Sequence, residues 1–112
     1  MRFRLIYQIL CANLDPPIEV IASGGALLKS PSWTQMMADA LGRPVIACTE
    51  PEASARGAAL WAMEQAGLIE SVAKLPASTG AVFTPRPEHH AAYERMLSAE
   101  SELYAKLFGT AQ

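Results

Sequence analysis

The chain has 112 residues, of which 51% are hydrophobic and 18% charged, and its net charge is −2 at pH 7. This length fits one domain or part of one, and the slightly high apolar content indicates surface that something else covers. The charge excludes the basic patch of a nucleic-acid-binding protein, and no apolar run is long enough to span a membrane. We therefore expect a cytoplasmic protein with neither kind of partner.

The chain opens with apolar residues at helical spacing from Phe3 to Leu14, and the Asp-Pro-Pro of residues 15–17 ends the predicted helix. No capping residue precedes this helix. Its beginning is therefore expected to lie upstream, which makes the chain a fragment. Residues 18–22 then predict a short strand that is buried on both faces.

The next helix is predicted to begin with Ser30 as its N-cap and Pro31 at its first position, and to end at Gly42 in a left-handed conformation. Its apolar stripe, which includes a tryptophan expected in the core, is Trp33, Met36, Met37, Ala40 and Leu41. A second short buried strand follows at residues 45–48. Two strands joined through a helix form a right-handed βαβ unit, so the sequence predicts a parallel sheet.

A capping box formed by Thr49 and Glu52 predicts a third helix that ends before Gly67. One face of this helix is small enough for tight packing against a neighbour: Ala55, Ala58, Ala59, Ala62 and Ala66. Prolines and small residues in the range 71–87 predict an extended surface connection. A long final helix is predicted over residues 87–108. Two cysteines, Cys11 and Cys48, lack metal-ligand spacing and are expected to be reduced and buried.

Gly24 and Gly25 follow the first strand and precede the helix that begins at Ser30. Backbone amides at the carboxyl end of a strand are where α/β proteins commonly hold nucleotides, and the missing Cβ lets a ligand approach closely. Neither a Walker A motif nor a GxGxxG motif is present. The bend is therefore predicted to line an adenosine pocket and not to wrap a triphosphate. Ser30 is first a helix cap, although a helix start that faces a nucleotide has the same geometry.

Other candidate sites have simpler explanations. Glu50 and Glu52 fit helix capping and the helix dipole better than an acid–base pair. His89 and His90 are adjacent on a predicted helix and point about 100° apart, so they are not expected to bind one metal ion together. No glycine-flanked nucleophile is present. The sequence therefore predicts no catalytic residue and no metal site within the chain.

Two long stretches carry a family resemblance: ASGGALLKSPSWTQMMADALGRPV at 22–45 and EASARGAALWAMEQAG at 52–67. They resemble the C-terminal domain of the FGGY carbohydrate kinases, relatives of the actin-like ATPases, and the resemblance covers nearly the whole chain. It implies an α/β fold that is part of an actin-like ATPase (ribonuclease H-like) domain, with short parallel strands packed with helices and a long C-terminal helix. Residues 1–112 would form the C-terminal part of the second kinase domain, without the N-terminal sugar-binding domain.

The resemblance implies transfer of the γ-phosphoryl group of ATP to a sugar hydroxyl. The sequences of these motifs are most similar to those of gluconokinase-like members, with xylulokinase-like members next, so gluconate is the favoured acceptor. Gly24 and Gly25 match the motif that contacts the nucleotide, and Ala26 and Ser30 match its surrounding loop. Mg²⁺, the catalytic aspartate and the phosphate-binding loops belong mainly to parts of the family outside this chain. The chain alone is therefore expected to be inactive.

Two other functions are compatible with the sequence to different degrees. A non-catalytic association module, derived from a truncated kinase gene, would bury its exposed helix faces against a second copy. In the kinase itself the same faces would contact the rest of the chain. An in-frame upstream extension with aspartate-containing phosphate loops would favour the kinase. A small Rossmann-like cofactor binder is disfavoured because the glycine fingerprint and the acidic ribose partner are missing.

Overall fold

The computed structural model describes residues 2–15 and 19–109. Within them the helices are α1 (Arg2–Asn13), α2 (Gly25–Leu28), α3 (Pro31–Leu41), α4 (Ala53–Gln65) and α5 (Pro87–Phe108), and the strands are β1 (Val20–Ala22), β2 (Val45–Cys48) and β3 (Thr79–Phe83). A 3-10 turn occupies Val72–Lys74. Across these ranges, no helix combines the length and the apolar character needed to cross a bilayer.

The three strands form one sheet in the order β1-β2-β3. β1 and β2 are parallel, with Val20 opposite Val45, so the predicted βαβ unit is confirmed. β3 pairs antiparallel with β2 and places Phe83 opposite Val45. The prediction of a plain surface connection over residues 71–87 was therefore wrong in part. Its proline-rich composition concealed an edge strand, because the pairing partner lies far away in sequence.

α3 lies at the centre of the fold and contacts the sheet, α1, α2 and α5. Its ends are as predicted. The Oγ atom of Ser30 accepts a hydrogen bond from the amide of Trp33 at 3.3 Å, and Gly42 ends the helix with φ of 67°. Its buried residues are Thr34, Ala38, Asp39 and Leu41.

The predicted apolar stripe of α3 was wrong in part. Leu41 is buried and Met37 and Ala40 are half-buried, but Trp33 is 44% exposed and Met36 is 49% exposed. The short side chains of Thr34 and Ala38 face the interior because they let the helix come close to its neighbours. Trp33 and Met36 lie on a side of the helix that the described chain leaves open.

The buried apolar core around α3 is small. It comprises Ala22, Ala38, Leu41 and Val45, with partly buried Tyr7, Val20, Leu27 and Phe83 packed against it. The radius of gyration is 17.5 Å, against about 13 Å for a compact domain of this size. The described chain is therefore elongated, and much apolar surface lies outside its core.

Several local predictions fail for this reason. β1 is not buried on both faces, since Ile21 is 40% exposed, and the two cysteines are only half-buried. α4 has no buried residue, so its alanine face does not pack tightly against any described element.

The predicted Thr49–Glu52 capping box of α4 is also wrong. Glu52 is the N-cap without a side-chain bond, and its amide instead donates to Oε1 of Glu50 at 3.2 Å.

Replacement of Gly42 by alanine is expected to destabilise the fold. Gly42 has a positive φ, and a Cβ atom there would lie 2.4 Å from Cε1 of His90. We expect the free energy of unfolding to fall by at least about 1 kcal/mol in urea titrations. The matched control is Gly57→Ala in α4, where no heavy atom lies within 4 Å of the added methyl group. An unchanged unfolding midpoint for Gly42→Ala would contradict this packing.

Candidate functional site

The glycine bend lies where β1 leaves the sheet and α2 begins. Gly24 has φ of 92° and ψ of 143°, a conformation that side-chain-bearing residues rarely adopt. A Cβ atom built at Gly24 or Gly25 meets no heavy atom within 4 Å. The backbone is therefore bare and open at the carboxyl end of β1. The four-residue helix α2, which follows directly, was not predicted.

A cavity of about 290 Å³ opens at this bend. Its lining residues are Phe3, Ser23, Gly24, Gly25, Ala26, Leu27, Trp33 and Met37. Its volume lies near the lower end of small-ligand pockets, which start at about 300 Å³. No charged side chain is among these described lining residues. The cavity therefore offers apolar surface and backbone, with little to neutralise a phosphate.

The structure brings three of the four predicted nucleotide contacts together. Gly24, Gly25 and Ala26 all line the cavity. Ser30 is not among the lining residues, and its hydroxyl caps α3. Nucleotide binding by these four residues stays a prediction.

Trp33 lines the cavity, so the prediction of a core position for it was wrong. It was expected in the core, yet its indole lines the cavity and is 44% exposed. Its position in the first turn of α3 was the available signal. Helical side chains lean toward the N-terminus of their helix, and here that direction leads toward the glycine bend.

α3 is fixed against α5 by Asp39, whose carboxylate is completely buried. Oδ1 of Asp39 accepts hydrogen bonds from the Arg86 amide at 2.8 Å and from Nε2 of Gln35 at 3.0 Å. Oδ2 accepts from Nε of Arg86 at 3.1 Å and from Nη2 at 2.5 Å. Burial alone would raise the pKa of Asp39. The hydrogen bonds from Arg86 and Gln35 outweigh burial and hold this pKa below its usual value.

The two histidines of α5 have different partners. Nδ1 of His89 lies 3.7 Å from Oδ2 of Asp39, whereas Nδ1 of His90 lies 2.8 Å from the carbonyl oxygen of Asp39. Both rings therefore help to hold α5 on α3. Over residues 2–15 and 19–109, no group of three or more His, Cys, Asp or Glu side chains is arranged to bind a metal ion.

The profile of the FGGY family of carbohydrate kinases, C-terminal domain, matches residues 1–66, a segment that includes the glycine bend and α3. The chain belongs to the FGGY family. The resemblance read from the sequence is thereby confirmed. So is the fold class, because the α/β arrangement with its long C-terminal helix is that of FGGY kinase structures.

Three FGGY relatives show how much of such an enzyme the chain represents. It is 35% identical over 92 residues to a ribulokinase of Mycolicibacterium smegmatis, covering 79% of this chain and 16% of the relative. It is 36% identical over 97 residues to an autoinducer-2 kinase of Klebsiella pneumoniae, covering 80% and 17%. The solved xylulose kinase of Rhodospirillum rubrum superposes with a TM-score of 0.73 at 33% identity, covering 95% and 22%. The chain therefore spans less than a quarter of each of these relatives.

Replacement of Asp39 by asparagine is expected to weaken the attachment of α5. The variant keeps the shape but loses the charge that Arg86 and Gln35 contact, so we expect a loss of about 1–3 kcal/mol in unfolding free energy at pH 7. The pKa of Asp39 is lowered in the fold from its ordinary value of 3.8. The stability that ionised Asp39 contributes is therefore complete above that ordinary value and is lost as the pH falls through the lower folded value.

The stability difference between the parent and Asp39→Asn should therefore shrink below about pH 4. Urea unfolding across the pH range measures it. Glu100→Gln, on the exposed surface of α5, is the control for simple loss of a negative charge. A stability difference that is constant with pH would show that Asp39 is not held ionised by its partners.

Proposed function

We propose that this chain supplies the nucleotide-side part of an ATP-dependent carbohydrate kinase, as the C-terminal part of its second domain. The complete enzyme would transfer the γ-phosphoryl group of ATP to a hydroxyl of a sugar or sugar acid. The observation that carries the proposal is the open cavity at the glycine bend, within the segment that matches the family. Gluconate is the first acceptor to test, because the motif wording favours gluconokinase-like members.

The lining of the cavity suits the nucleoside end of ATP. A base and ribose gain from burial against apolar side chains and bare backbone, whereas phosphates need cations or clustered donors. Phosphoryl transfer depends on positioning and on charge neutralisation around the γ-phosphate. The apolar lining of the cavity would help to position ATP, because it would hold the base and ribose at the end of the nucleotide that lies far from the γ-phosphate. Mg²⁺ remains an expectation from the resemblance, and the described carboxylates are not grouped to hold it.

A second function is favoured by the exposed apolar helix faces. On α1, Phe3 and Ile9 are each 62% exposed, and on α5 Leu107 is 66% and Phe108 is 73% exposed. Large apolar side chains left exposed on two helices are candidates for protein contacts. A non-catalytic association module would bury these faces against a second copy, and in a kinase the rest of the polypeptide would cover them. Sedimentation equilibrium separates the association module from the kinase part, because the association module requires a concentration-dependent dimer of this chain.

The isolated chain is expected to bind ATP weakly and to have no kinase activity. With ATP, Mg²⁺ and gluconate, a coupled ADP assay should show no turnover above the blank. Amide NMR shifts at Gly24, Gly25 and Ala26 should titrate with ATP at a Kd on the order of millimolar, because few contacts offset the lost translational freedom. Turnover well above background would overturn the expected inactivity. ATP-dependent shifts confined to other parts of the chain would overturn the site.

A bulky side chain at Gly25 should obstruct this site. Gly25 begins α2 without a positive φ, and no atom lies near its missing Cβ, so Gly25→Leu adds volume at the cavity without a clash. We expect the Kd for ATP to rise at least about fivefold, or about 1 kcal/mol, with little change in unfolding free energy. Gly57→Leu, at an equally open glycine in α4 away from the cavity, should leave the Kd unchanged. Equal Kd values for both variants would rule the bend out.

A further inference from the structure

Trp33 presents a large aromatic surface to the cavity, although four other residues of its helix are buried. Another side of α3 is closed, with Thr34 1% and Ala38 0% exposed, while Trp33 keeps 44% of its surface accessible. Met37, one turn further along α3, lines the same cavity, and Phe3 of α1 lines it as well. Two aromatic rings and a thioether therefore border the bare backbone of Gly24 and Gly25.

The side-chain chemistry of this lining can hold a flat ring but can hardly identify it. Among the described lining residues, the polar side-chain groups are the hydroxyl of Ser23 and the indole N–H of Trp33. Reading the edge of a base requires donors and acceptors in a matching pattern, as in a carboxamide or a guanidinium pair. Stacking on an aromatic side chain accepts any base, because every base has a π-face.

We propose that Trp33 is the base-contacting platform of this site, and that the chain binds purine nucleotides by stacking with little discrimination between adenine and guanine. This inference rests on the proposed function and adds to it the part of the nucleotide that is held and its loose base selectivity. It makes Trp33 a binding residue and leaves the triphosphate without a charged side-chain partner among the described lining residues.

The second tryptophan of the chain makes the test direct. The sequence contains two tryptophans, and Trp61 lies on α4, 64% exposed and outside the cavity lining. In a Trp61→Phe variant, all indole fluorescence comes from Trp33. ATP and GTP should both quench it saturably, with Kd values within about threefold of each other, and tripolyphosphate should not quench it. In Trp33→Phe, the remaining Trp61 signal should show no saturable change, which controls for absorption by the nucleotides.

Variants at position 33 separate aromatic stacking from simple packing. Trp33→Leu should raise the Kd for ATP about tenfold, measured by the amide shifts of Gly24 and Gly25. Trp33→Phe should stay within about threefold of the parent, because it keeps an aromatic face. Urea unfolding of each variant verifies folding. Should Trp33→Leu not fold, the quenching titration and Trp33→Phe still decide the matter.

The outcomes distinguish this inference from the proposed function. If ATP shifts the Gly24 and Gly25 amides while Trp33 fluorescence does not change and Trp33→Leu binds ATP normally, the platform is wrong and the nucleotide site stands. If ATP neither shifts these amides nor quenches Trp33, both are overturned. A tenfold or larger preference for ATP over GTP would overturn the loose selectivity. Altered self-association of Trp33→Leu with normal ATP binding would assign the indole to a protein contact instead.

Discussion

The buried carboxylate of Asp39 is the interaction on which the arrangement of α3 and α5 depends. Asp39 belongs to α3, and its carboxylate has no solvent contact. The carboxylate accepts hydrogen bonds from the backbone amide and the guanidinium of Arg86, the residue that precedes α5. Gln35 extends the network by donating to both Asp39 and the carbonyl oxygen of Thr84. An unpaired carboxylate in this position would be strongly destabilising, so the start of α5 must remain against α3.

With α3 fixed in this way, its remaining surface becomes available for binding. One side of the helix packs on the sheet through small residues, and Trp33 and Met37 face the cavity beside the glycine bend. Thr34 joins the two regions, since its hydroxyl donates to the carbonyl oxygen of Leu27 in α2 at 3.0 Å. A contact made in the core therefore determines where the bend lies relative to the aromatic side chains.

The small core and the elongated shape explain why other helix faces of the described chain remain exposed. A chain that belongs to the FGGY family and spans 16% of a ribulokinase relative has few elements against which to bury its helices. α4 illustrates this: its alanine face is exposed, and its attachment includes the bond from the Val72 amide to Oε2 of Glu64 at 2.6 Å. The local sequence is sufficient for this helix to form, whereas burial of its alanine face requires a neighbouring element.

The sequence by itself determined the features that depend on local chemistry. Ser30 and Pro31 start α3, Gly42 ends it in the left-handed region, and the glycine pair forms an open bend after β1, because caps and positive φ values depend on residue type. The parallel pairing of β1 and β2 followed from the intervening helix. The family could also be identified from the sequence of residues 22–67.

Only the tertiary structure decided which side chains face inward. Trp33 was expected in the core because apolar periodicity reports the apolar side of a helix, but it does not report which neighbours exist to cover it. Asp39 and Arg86 are 47 residues apart, and β3 has its partner in a distant strand. Such contacts come from chain topology, and no local pattern encodes them, so the cavity wall at Trp33 emerged only from the packed fold.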